Sequence, residues 1–318
     1  MINRILFVAA ALALGTNAVA QGTCPDRPVR IVVPFTPGGN ADIVARIVAQ
    51  GMTEELKQSV IVENKPGANA AIGAEFVARG EANGLTVLFG TAESLALNPH
   101  LRKGLGYDPA KDFAAVGLVD HFALSLVLAP KFGGLGDFLA QAKQAPGKLN
   151  FASWGNGSTS QIAFEQVKQV AGLDLVHVPF QGAAPAIGAV AAGSVEAFVV
   201  PLSVARPQAQ GGRVRLVAVL SAQREASAPE VPTATEQGLP VVISGWHLLA
   251  VPAATPREAV LALNRALNAA NAKADIREKL LKAGVQPAQS TPEETLAMMR
   301  AELQRWGEVA TKAGMQPQ

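Results

Sequence analysis

The feature that most constrains this chain is the alternation of short apolar, β-branched runs with longer segments of helical period. Residues 29–34 read as a continuous buried strand. Residues 41–56 follow directly and place Ile43, Ile47, Val48, Met52 and Leu56 along one helical face. Further strand runs fall at 59–63, 86–90, 116–119, 124–129, 149–153, 175–178, 195–200 and 214–220, with helices at 158–171 and 183–192 among them. This is the pattern of parallel strands joined by crossover helices, so the fold class is α/β. A chain of 318 residues exceeds what one hydrophobic core usually serves, which predicts two domains. No flexible linker separates them, so they must be joined by strands that cross from one to the other.

Beyond residues 241–251 the chain reads as almost wholly helical. Thr255-Pro256-Arg257-Glu258 and Thr291-Pro292-Glu293-Glu294 each offer a hydroxyl cap, a proline at the first helical position and a glutamate that bonds back. These start signals are structural.

The first twenty residues are set apart from the fold. Arg4 precedes an uncharged apolar run at 5–14, and Ala18 and Ala20 supply the small side chains a signal peptidase accepts, so cleavage is expected before Gln21. The apolar run is too short to span a bilayer. The single cysteine, Cys24, has no intramolecular disulfide partner, lies in no lipid-attachment sequence and rules out paired-cysteine zinc sites. Formal net charge is +2 with basic residues dispersed, so the footprint of a nucleic-acid binder is missing.

Chemistry is expected where strands hand over to helices. In the segment Val33-Pro34-Phe35-Thr36-Pro37-Gly38-Gly39-Asn40-Ala41-Asp42 a strand ends in a glycine turn that opens into a helix. Such a turn aims free N–H groups and the positive end of a helix dipole at an anion, and glycine lets the backbone approach it. Asn40 and Asp42 are also good helix caps, and ligand contact and capping both stay open. Three other turns have the same form: Ser153-Trp154-Gly155-Asn156-Gly157-Ser158-Thr159-Ser160, Gln181-Gly182-Ala183-Ala184 and Gly90-Thr91-Ala92-Glu93-Ser94. Ligands of open α/β sheets bind outside the carboxyl ends of strands, so four such turns can surround one site. None carries lysine or arginine, so a bound carboxylate relies on neutral donors.

No Gly-x-x-x-x-Gly-Lys, Gly-x-Gly-x-x-Gly, Gly-x-Ser-x-Gly or His-Glu-x-x-His pattern occurs in these turns or helices. Catalytic residues, a metal site and a cofactor are therefore not expected. His177 lies in an apolar strand and reads as a satisfied core residue. His247 stands near a crossover and is retained as a cleft candidate, while Trp246 reads as packing.

The residues Asp26-Arg27-Pro28-Val29-Arg30-Ile31-Val32-Val33-Pro34-Phe35 with Pro37-Gly38-Gly39, Val62-Glu63-Asn64-Lys65-Pro66-Gly67-Ala68 with Ile72-Gly73-Ala74, and Leu97-Asn98-Pro99 form an ordered series. It continues through Tyr107-Asp108-Pro109, Pro146-Gly147-Lys148-Leu149-Asn150, Gly155-Asn156-Gly157-Ser158, Val176-His177-Val178-Pro179-Phe180-Gln181-Gly182 and Val231-Pro232-Thr233. In this order the chain resembles the Bug-type substrate-binding proteins of tripartite tricarboxylate transporters, from about Pro25 to its end. The resemblance implies a periplasmic binding protein type II-like fold, two α/β lobes around a central cleft that close like a flytrap. Lobe I is expected at 21–122 plus 246–318 and lobe II at 123–245, with crossovers near 121–124 and 244–246. It also implies a monomeric periplasmic protein that captures a small mono-, di- or tricarboxylate or amino acid, with membrane permease subunits as partners. The ligand carboxylate would lie between the turns, held by main-chain amides and water.

The candidate ligand-binding set is Phe35, Pro37, Gly38, Gly39, Asn40 and Asp42 from the first turn, then Thr91, Glu93 and Ser94, then Asn156, Gly157, Ser158 and Thr159, then Gln181, Gly182 and Ala183, with Val200 and His247. Three positions depart from the family pattern. Gln161 stands where a histidine usually follows the serines, Val199-Val200-Pro201 replaces a Phe-Asp-Asn, and Glu93 occupies a loop position that is usually small. Glu93 reads first as an exposed loop residue and second as a partner for a cationic ligand group. A sensor that presents its closed form to a membrane kinase is the alternative function, and a cofactor-free hydrolase the third.

Overall fold

The computed structural model describes residues 27–312 and 317. The expected signal peptide and Cys24 lie outside the described residues. Among the described residues ten strands are formed: β1 (Val29–Val33), β2 (Val60–Asn64), β3 (Thr86–Gly90), β4 (Phe113–Leu128), β5 (Asn150–Ser153), β6 (Val176–Pro179), β7 (Ala197–Pro201), β8 (Arg215–Val219), β9 (Ser244–Pro252) and β10 (Val285–Pro287). The first helices are α1 (Asn40–Leu56), α2 (Ala71–Ala78), α3 (Asn98–Leu101) and α4 (Pro109–Asp112), with a π-helical turn at Glu93–Leu97. Next come α5 (Leu135–Gln144), α6 (Thr159–Ala171), α7 (Ala183–Ala191) and α8 (Leu202–Gln210). The chain closes with α9 (Arg257–Ala272), α10 (Ala274–Lys282) and α11 (Pro292–Lys312).

The sheet runs β2-β1-β3-β9-β4-β7-β5-β6, with β8 and β10 added against β4. β1 is parallel to β2 and β3, and β5 is parallel to β6 and β7. Of these, β1, β3, β5 and β7 are buried between neighbours and covered on both faces, which is why they read as apolar runs, while β2 and β6 form the edges. In β1, Ile31 and Val33 pack with Val44, Val48 and Met52 of α1 and Leu267 of α9, while Val32 packs on the opposite face with Ala74 and Val77 of α2. The stripe that α1 buries is Ala41, Val44, Ala45, Val48, Ala49 and Met52. Ile43, placed on that stripe by sequence, points outward and is 45% exposed.

β4 ties the two halves together. It pairs antiparallel with β9 from Phe113 to Ala123 and then with β7 from Leu124 to Leu128. The sequence predicts two strands here, at 116–119 and 124–129, because Asp120-His121 breaks the apolar run. The structure forms one strand of 16 residues. It tolerates Asp120 because His247 stands opposite on β9 and its Nδ1 lies 2.9–3.0 Å from both carboxylate oxygens. Register shifts between Ala115 and Gly117 and between Leu118 and Asp120 mark bulges, which bend a strand and add twist. β9 begins the return at Ser244, and the glycine at 245 is required there. A Cβ on Gly245 would stand 2.0 Å from the Phe122 ring.

The carboxyl-terminal part carries a strand, β10, that its reading as almost wholly helical omits. Of the two expected capping boxes, only Thr291/Glu294 forms. Glu294 N–H donates to Thr291 Oγ1 at 3.2 Å and Thr291 N–H to Glu294 Oε2 at 2.8 Å. The Thr255 hydroxyl is buried without a partner, because α9 takes Pro256 as its cap residue and leaves Thr255 one position too early. Among the described residues no helix is long and apolar enough to cross a membrane.

His177 is half-buried on the edge strand β6 and is not in the core. It is satisfied all the same, with Nε2 2.7 Å from Ser153 Oγ and its ring stacked on Phe151 at 4.9 Å. Burial, and secondarily the Lys168 ammonium, push its pKa down from 6.5 to about 4. Below pH 6.5 the unfolded chain takes up a proton that the folded chain refuses until about pH 4. This contribution is therefore full above pH 6.5 and is lost as pH falls toward 4, by at most about 3 kcal/mol. Urea unfolding at pH 7.5 and 5 should show the loss, and His177→Gln should flatten that slope. An unchanged slope in the variant would assign it to other groups.

Candidate functional site

The carboxyl ends of the strands converge on a cavity of about 90 Å³ between the two halves of the sheet. Half of the predicted residues line it: Phe35, Gly39, Asn40, Thr91, Glu93, Thr159, Gly182, Ala183 and His247. Its remaining walls include Phe122 and Leu124 from β4, Trp154 after β5, Pro201 at the end of β7 and Trp246 on β9. Sequence reasoning omitted these. Trp154 lay inside a turn singled out for its glycines and hydroxyls, and Trp246, read as packing, faces the cavity while its indole N–H donates to Glu302 at 2.8 Å.

The first turn shows how its residues divide the work. Gly38, at φ +82°, adopts the left-handed conformation that glycine takes without strain, and its N–H donates to Asp42 Oδ2 at 3.0 Å. The Asp42 carboxylate also meets Asn64 at 2.9 Å and Arg46 at 2.9 Å. Although burial alone would raise it, these bonds hold its pKa below the usual carboxylate value. Asp42 thus staples the turn and stays out of the cavity, while Pro37 and Gly38 lie on the surface. Gly39 is the cap residue of α1, and no side chain caps that helix. Asn40 Oδ1 accepts from Ser203 Oγ of α8 at 3.2 Å, whereas its Nδ2 is buried with no partner.

In the second turn, Ser158 caps α6 by accepting from Gln161 N–H at 3.3 Å, and Gln161 Oε1 takes Gly157 N–H at 2.8 Å. The glutamine that replaces the family histidine therefore stabilises this turn. Gly157 O accepts from Asn69 Nδ2 at 2.9 Å across the cleft. Asn156 and Gln181 line, with Arg102, a neighbouring groove that shares Phe35, Thr36, Trp154 and Gly182 with the cavity. Ser94 is spent on its own turn, bonding Thr91 N–H and Thr91 O. Val200 is buried in β7 with its carbonyl accepting from Ser125, so the neighbouring Pro201 is the wall. The cap residue of α7 is Gly182, again without a side-chain cap, and a Cβ on it would lie 3.3 Å from Thr36 Oγ1 of the opposite turn. The ends of α1 and α7 thus meet across one cavity.

Glu93 reverses its expectation. It is 4% exposed, at the start of the π-helical turn, a form of helix often found at functional sites. Its Oε1 accepts from Thr159 N–H at 3.0 Å, Thr159 Oγ1 at 2.6 Å and Trp154 Nε1 at 3.3 Å, and its Oε2 from Thr91 Oγ1 at 2.8 Å. On the facing wall His247 is 2% exposed and sandwiched between Phe89 and Phe122 at 4.8 and 4.7 Å, with Asp120 fixing its ring. No lysine or arginine lines the cavity.

Residues 44–315 match the family described as the tripartite tricarboxylate transporter family receptor. The chain belongs to that family. It is 32% identical over 300 residues to Protein BugT of Bordetella pertussis, covering 93% of this chain and 92% of that protein. Among solved structures, the R. palustris protein Rpa4515 with adipate matches at TM-score 0.89 and 32% identity, covering 93% of this chain and 100% of the other. The periplasmic binding protein BugD matches at 0.86 and 30%, covering 92% and 100%. The matching family is one of transporter receptors, and BugD is a periplasmic binding protein.

Proposed function

We propose that this family member captures a small carboxylate-bearing molecule in the cavity and delivers it to the permease of a tripartite tricarboxylate-type uptake system. The observation that carries the reading is the meeting of two helix N-termini, on α1 and α7, that no side chain caps, beside a buried Asn40 Nδ2 with no partner. Free N–H groups and the positive ends of two dipoles favour an anion, and the absence of lysine and arginine makes these neutral donors its holders. The amides, Asn40, Thr36 and His247 are the contacts proposed. A relative solved with adipate supports the carboxylate class.

The lobes proposed are residues 21–122 with 246–318, and 123–245, and the change of partner along β4 at Ala123–Leu124 supports this division. Hydrogen bonds from Asn69 to Gly157, from Ser203 to Asn40 and from Thr159 to Glu93 join the two sides. A ligand that strengthens this closed form shifts the population toward it, and a permease reads the closed form. Export by residues 1–20 and a monomeric periplasmic state complete the proposal.

Thermal unfolding against a panel of short mono- and dicarboxylates tests it. Mass action predicts a stabilisation of about 2.7 kcal/mol for a binding acid present at 100 times its Kd. A panel with no shift would remove carboxylate capture.

A further inference from the structure

We propose that Glu93 is a built-in carboxylate that selects the ligand: it occupies the anion position of the second strand-to-helix turn, so the cavity admits an acid with one carboxylate and a short apolar body and rejects one with two. This rests on the capture reading above and names its ligand class.

The bonds of Glu93 carry the argument. A carboxylate offers about four lone-pair sites, and Glu93 receives four donors, three of them from Trp154 and Thr159 across the cleft. Thr159 N–H is the first amide of α6, a helix of 13 residues, so the side chain sits where a bound anion would meet that dipole. A ligand carboxylate cannot use the same donors without displacing it. The groups left are the ends of α1 and α7, Asn40 Nδ2, Thr36 and His247, the set already proposed to hold one carboxylate.

Apart from these groups the cavity wall is apolar, with Phe35, Phe122, Leu124, Trp154, Pro201 and Trp246. No lysine or arginine is present to neutralise a second negative charge beside Glu93, and like charges in a buried site disfavour each other. An ammonium group would find the acceptor sites of Glu93 already filled. The volume, about 90 Å³, is below the 150 Å³ of a cavity known to hold benzene, which favours a short aliphatic body.

Calorimetric titration of the full mature protein with two matched sets provides the test: butyrate, succinate and 4-aminobutyrate, then hexanoate, adipate and 6-aminohexanoate. The wild type should bind a monocarboxylate at least about tenfold more tightly than the dicarboxylate of equal length. Glu93→Gln keeps the shape and removes the charge, and it should narrow the ratio of monocarboxylate to dicarboxylate affinity by about tenfold. Preference for the dicarboxylate or the amino acid in the wild type would overturn the inference and leave carboxylate capture standing, as would an unchanged ratio in the variant. Binding of none of the six would count against both. Should the variant fail to fold, the wild-type ratios decide by themselves.

Discussion

Replacing Gly39 by valine is expected to reduce ligand affinity by at least about 100-fold, equivalent to about 2.7 kcal/mol, while the protein stays folded. Gly39 caps α1 at φ −79° and ψ 171°, extended backbone that any residue adopts, and a Cβ built there meets only Thr36 O at 3.8 Å. The folded chain therefore accepts the side chain. Losing glycine at a cap costs about 1 kcal/mol. The cavity has little room to spare, because Gly39 is part of its wall and its volume is about 90 Å³. Calorimetry paired with thermal unfolding reads both quantities. Retained affinity in a folded variant would move the site away from the first turn.

Asp120→Ala is expected to destabilise the protein by about 3 kcal/mol, the upper end of the cost of leaving a buried polar group without its hydrogen-bond partner. Asp120 is 0% exposed, and both its oxygens face His247 Nδ1. Its loss leaves that nitrogen unsatisfied at the place where β4 carries the chain from one half of the sheet to the other. Asp120→Asn keeps an acceptor and should cost about 1–2 kcal/mol. Denaturant unfolding of both variants checks the order. Equal losses would mean that packing volume matters at this site and the hydrogen bond does not.

The fold was legible because its inner parallel strands are buried on both faces and its helices follow at short intervals, a pattern carried by the order of apolar and polar residues along the chain. What escaped depends on partners remote in sequence. Asp120 reads as a strand breaker until His247, 127 positions away, is placed against it. Glu93 reads as a surface residue until Trp154 and Thr159, 61 and 66 positions away, close over it. Within the first turn the residue types allowed both capping and ligand contact. The structure divides them, with Asp42 bonded to Gly38 of its own turn and Asn40 turned to the cavity with an unpaired donor. Ile43 was misplaced because its hydrophobicity outweighed its angle on α1, where alanines supply much of the buried stripe.

The central claim is that neutral donors at helix ends hold a carboxylate in this cavity. The most direct measurement extends the thermal-unfolding panel by running each acid beside its own amide, which has nearly the same shape and no charge. Stabilisation by at least one acid and none by its amide is the predicted result. Stabilisation by both alike, or by no acid in a broad panel, would contradict it.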